Sequence, residues 1–223
     1  MAVIKGIVQT PTMMSFSDGT EVNLIAGKQA EQLVSQLTPP GYSATYHGET
    51  FHATTTPLGL AIPIYSSATP LVVLWNPIGS GHNLVVMNFN FAYASGTAAY
   101  GSVGLMYELN CGSAIATGAP FSAFSSATPT NGLLGSGAVS VAKVSISGTN
   151  TLTTAGAAGR WFYTLGSINL EAATGTAHGT IVPTQAPTSG SIILPPGTAI
   201  WPACTVASVA LYSQTISWQE MPI

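Results

Sequence analysis

Apolar residues in this chain come in short runs broken by Gly, Pro, Ser and Thr, and the dominant period is two. The clearest run is Asn83 to Tyr93, whose end alternates Met87, Phe89, Phe91 and Tyr93 against Asn88, Asn90 and Ala92, the signature of a half-buried strand. Before it lie Leu60 to Tyr65 and Leu71 to Trp75, the latter closed by Asn76-Pro77. After it, strands are predicted at Ser102 to Leu109, Ala138 to Ile146, Arg160 to Leu165, Ile168 to Ala172, Thr180 to Pro183, Ser191 to Leu194, Ala199 to Pro202 and Ser208 to Trp218. Ser113 to Gly137 is rich in small residues and reads as a long surface loop. Many short strands with turn-rich connections, and no alternation of strand with helix, predict an all-β fold: an antiparallel sandwich, jelly-roll-like.

One segment departs from that period. Ala30, Leu33, Val34 and Leu37 form a stripe at helical spacing within Gly27 to Leu37, and Pro39-Pro40 ends it, so a short N-terminal helix is expected there. Residues 1–60 also hold two of the four Lys/Arg and four of the seven Asp/Glu. That shift divides the chain into an N-terminal arm (1–60) and a β-sandwich domain (61–223).

Charge changes the picture most. The 223 residues carry 4 Lys+Arg and 7 Asp+Glu, 5% of the chain, against roughly 25% in an ordinary soluble domain. A folded monomer of this mass exposes about 9,500 Å², so these charges are spaced on the order of one per 900 Å². Such a surface is expected to be covered by other subunits. Lys5, Lys28, Lys143 and Arg160 are scattered, which argues against direct nucleic-acid binding. No stretch reaches the ~18 unbroken apolar residues of a membrane helix. The first residues lack the basic and apolar regions of a secretory signal, so synthesis in the cytosol and two free buried thiols, Cys111 and Cys204, are expected.

Candidate chemistry is sparse. Pro77-Ile78-Gly79-Ser80-Gly81 and Gly135-Ser136-Gly137 lack the Lys-Ser/Thr and helix of a phosphate loop and the spacing of a nucleophile elbow, so they read as strand connections. His47 and His52 flank Glu49, but no further ligand cluster completes a metal site; His82 and His178 sit in turn-rich sequence. Glu108, Glu171 and Glu220 are the acids after residue 60, too few to favour a catalytic pair. Neither catalytic, cofactor nor metal residues are expected. Trp75 and Trp218 lie in apolar contexts and are expected in the core. Trp161-Phe162-Tyr163 must point to both faces of any strand, leaving one ring for an interface.

The run Leu74-Trp75-Asn76-Pro77-Ile78-Gly79-Ser80-Gly81-His82-Asn83-Leu84-Val85-Val86, then Tyr93-Ala94-Ser95-Gly96-Thr97, resembles a pattern in tailed-bacteriophage structural proteins. Leu194-Pro195-Pro196-Gly197-Thr198-Ala199 and the closing Ser217-Trp218-Gln219-Glu220-Met221-Pro222-Ile223 are similar to the same proteins. The likeness spans about residues 20–110 and 190–223. It implies a non-enzymatic virion component, assembled in the host cytoplasm. The leading expectation is a capsid decoration or cement protein, a homo-oligomer (a trimer) that contacts the major capsid protein or other virion proteins. The alternative is a receptor-binding fibre or spike head that recognises host carbohydrate, with Asn88, Asn90 and Tyr93 as sugar contacts.

Overall fold

The computed structural model describes residues 5–7, 21–23, 41–97, 99, 101–109, 111, 121–146, 150–152, 160–168 and 186–223. The chain divides into two units, Met1–Tyr42 and Ser43–Ile223. In the first, β1 (Lys5–Ile7) pairs antiparallel with β2 (Glu21–Asn23). The helix expected at 27–37 lies outside the described residues; the helix described is the single turn α1 (Tyr42–Tyr46).

The second unit is all-β and antiparallel, a sandwich of two main sheets. The six-stranded sheet runs β13 (Ala186–Leu194), β6 (His82–Ser95), β15 (Leu211–Pro222), β3 (Thr50–Thr54) and β9 (Thr130–Asn131), with β4 (Leu60–Ala61) also on β15. The five-stranded sheet runs β10 (Lys143–Ser145), β5 (Val73–Asn76), β14 (Thr198–Cys204), β7 (Gly101–Leu109) and β12 (Arg160–Ile168). The boundary placed at residue 60 on charge therefore falls inside this unit. Thr50–Thr54 buries Phe51 and Ala53 on the sandwich side and turns Thr50, His52 and Thr54 outward.

Both sheets contribute alternate residues to the main core. Leu84, Val86, Phe89, Phe91, Ile216 and Trp218 meet Leu74, Val103, Leu105, Val144 and Ile200 there. The opposite face of the five-stranded sheet is covered too. A ribbon of β8 (Phe121–Ala123) and β11 (Thr151–Leu152) packs Phe121 and Leu152 over Val73, Trp75, Met106, Ala199 and Trp201. Apolar side chains on both faces explain why every residue of β14 is buried and why its sequence reads as a continuous run.

Alternation along β6 holds with one phase change. Leu84 and Val86 are buried, then Phe89 and Phe91, because the pairing to β15 passes from Val86↔Trp218 to Asn88↔Ser217 and skips Met87. A bulge adds one residue and resets the period, so Met87 does not share the buried face of Phe89 and Phe91. The strand expected over 138–146 is confined to Lys143–Ser145. The loop expected over 113–137 contains two short strands among its described residues, β8 and β9. The expected strand at 180–183, and that at 168–172 beyond Ile168, lie outside the described residues.

Candidate interaction surfaces

One joint holds the sandwich together where the chain crosses between sheets. Asn76, fully buried at the end of β5, donates from Nδ2 to the carbonyls of His82 and Leu194, each at 2.8 Å. Its own carbonyl accepts from Gly197 N–H at 2.8 Å. It thus ties the β5–β6 crossing (Pro77 to Gly81) to the β13–β14 crossing (Pro195 to Gly197). Gly197 has φ +85°, a conformation that suits glycine in a Pro-Pro-Gly turn. The last strand joins in, with Pro222 opposite His82 and Ile223 N–H bonded to the Gly81 carbonyl at 3.1 Å. The segments 74–86, 194–199 and 217–223, separate in sequence, meet here.

Glu220 is buried, and its carboxylate accepts from Ser140 Oγ, the N–H groups of Val141 and Ala142, and Trp218 Nε1. It fastens the segment that enters β10, an edge of the five-stranded sheet. Glu108 stands on β7 next to β12, the opposite edge. The two acids are not brought together, and Glu171 lies outside the described residues. His52 bonds Ser217 Oγ through Nδ1 at 2.8 Å, and burial lowers its pKa. Glu49 Oε2 accepts from Gln219 Nε2 at 3.3 Å. His82 Nδ1 contacts the Ser80 carbonyl at 2.9 Å within its turn, and His178 is outside the described residues. Among the described residues no three His, Cys, Asp or Glu side chains gather as metal ligands.

Two rows on the outer face of the six-stranded sheet are polar and neutral. Register sets His52, Ser217 and Asn88 in one row and Thr54, Thr215 and Asn90 in the next, with Thr54 and Thr215 hydroxyls 3.1 Å apart. Tyr93 is not part of it. Its ring packs edge-on against Tyr212, a core residue, and its hydroxyl donates to the Gly96 carbonyl.

Among the described residues, two apolar features stand at the edges of the sandwich. At one edge, between β7/β12 and β13, a groove of about 300 Å³ is lined by Tyr107, Leu109, Phe162, Ile192, Ile193 and Pro195, among others. Phe162 is skipped by the β12–β7 pairing. Trp161 then packs on the outer core and Tyr163 on the main one, while Phe162, 40% exposed, stays at the groove. Arg160 and Glu108 stand at its end with Tyr107 and Leu109.

At the other edge, residues 132–142 join β9 to β10 and contain no ionisable side chain. The loop is tied down throughout. Asn131 Nδ2 donates to the Gly48 carbonyl and its Oδ1 accepts from Leu133 N–H. Ser136 N–H closes a turn on the Leu133 carbonyl, and Glu220 holds Ser140 to Ala142. Yet Leu134 and Val139 are 81% and 85% exposed. No sequence pattern marked these two edges as a pair; only the strand order places them. Searches of protein-family models, curated proteins and solved structures find no match to this chain.

Proposed function

We propose that this chain is a non-enzymatic structural protein of a tailed-phage virion, a capsid decoration protein that works as a homo-oligomer, a trimer, on the head. The observation that carries the reading is a nearly charge-free surface bearing large apolar side chains. Only eleven charged residues accompany 223 in all, while Leu58, Leu134, Val139 and Val209 are mostly exposed. A surface of this kind packs against copies of itself, or against a capsid lattice, without desolvating ions. The sequence resemblance supports the virion setting. Light scattering on a size-exclusion column tests the assembly: a stable trimer is expected, and a monomer at all concentrations overturns it. Co-sedimentation with purified phage heads tests the capsid contact, with saturable binding expected.

The neutral hydroxyl and amide rows around Ser217 and Thr215 favour a second reading, a receptor-binding head that meets host carbohydrate. Specific glycan retention by the purified chain, combined with a failure to bind heads, would decide for it.

A further inference from the structure

The two apolar features lie on opposite edges of the same sandwich. β12 and β13 end the sheets on the groove side, and β10 and β9 end them on the loop side. Edge strands commonly invite strand addition. Here the groove-side edges are blunted: the pairing of β12 is broken by two bulges, and that of β13 by an irregularity between Pro187 and Ile192. Backbone pairing is disfavoured there, which leaves the groove between the sheets to accept side chains. The loop on the far side offers suitable ones. It is anchored at both ends, so presenting Leu134 and Val139 costs little ordering entropy on association. It is also uncharged, matching the apolar wall of Ile192, Ile193 and Pro195, so the loop brings no ion of its own to be desolvated.

We propose that the groove between β12 and β13 receives the Leu134/Val139 loop of a second copy of this chain, a head-to-tail contact. This rests on the self-assembly reading above and specifies its surface. A patch that binds a different patch on its neighbour is heterologous, and such contacts close into rings when the rotation between copies allows. A rotation that closes after three copies gives the expected trimer, and one that does not close gives an open filament.

Complementation tests it. The loop variant Leu134→Asp/Val139→Asp and the groove variant Ile193→Asp alter exposed side chains (Ile193 is 55% exposed), so both are expected to remain folded, which circular dichroism checks. Each variant alone is expected at the single-chain mass of 22.7 kDa. Mixed in equal amounts they are expected to form a dimer of twice that mass and nothing larger, because one intact groove meets one intact loop. Variants that keep the wild-type oligomer place the contact elsewhere and overturn this inference, leaving self-assembly standing. Monomeric variants that do not pair when mixed also overturn it. A wild-type chain that is monomeric at every concentration removes the self-assembly reading itself. An independent readout is the Leu134→Cys/Ile193→Cys chain, which should crosslink between copies under mild oxidation. Cys111 and Cys204 are buried, so their contribution is small; absence of the crosslink in an oligomer would count against the contact.

Discussion

At the scale of single residues, polar side chains in this fold secure backbone. Glu220 satisfies two N–H groups, a hydroxyl and an indole in a buried site. Glu220→Ala leaves those donors unpaired, and chemical denaturation should show a loss of about 3 kcal/mol. His52 carries a pH dependence whose sign follows from burial. Its folded pKa is lowered from 6.5 by desolvation, so below that value the unfolded chain binds more protons. Stability then falls as pH drops through the window under 6.5. Melting temperature should decline from pH 7 to 5, and less steeply in His52→Gln. Burial also pushes the Cys111 thiol up to about 12, aided by nearby Glu108, and raises that of Cys204. Thiolate is the reactive form, so a thiol reagent at neutral pH should label neither cysteine in the native protein and both after denaturation.

At the scale of elements, Asn76 is the joint between crossings. Asn76→Ala should cost about 2 kcal/mol through its two lost hydrogen bonds. Asn76→Asp should cost more, since a carboxylate would face the carbonyls of His82 and Leu194. Denaturant midpoints of the two variants check the order. The long strands β6 and β15 were legible in sequence because period-two burial along most of their length leaves a strong signal, whereas β7, with Val103 to Met106 buried in succession, reads as a continuous run. What escaped was short or context-made. Thr50–Thr54 offers only Phe51 and Ala53 to the core, and its neighbouring ionisable residues resembled an arm. The two-residue β9 and β11 are too brief for any period. Residues 138–142 look strand-like, yet Glu220 holds Ser140 to Ala142 in a loop. The bulge at Met87 is set by the partner strand and has no mark in its own sequence.

At the scale of the whole sandwich, the same contrast governs the candidate surfaces. The low charge that suggests assembly is a sum over the chain and is readable at once. The three aromatics at 161–163 must divide between the faces of their strand, and Phe162 is the one left 40% exposed at the groove. The groove itself exists only because strand order brings β12 and β13 to one edge, and the apolar loop to the other. The strand order has one further consequence, for synthesis. β15, residues 211–222, is paired on both sides, with β6 and with β3, so it is an inner strand of its sheet. At about 5–20 residues per second, β3 waits on the order of ten seconds or more for its partner to be made. Until then its edge and that of β6 are unpaired, a template for wrong pairing. A chain stopped before Leu211 should therefore accumulate in the insoluble fraction. In the 223-residue chain, folding of this sheet follows translation of β15.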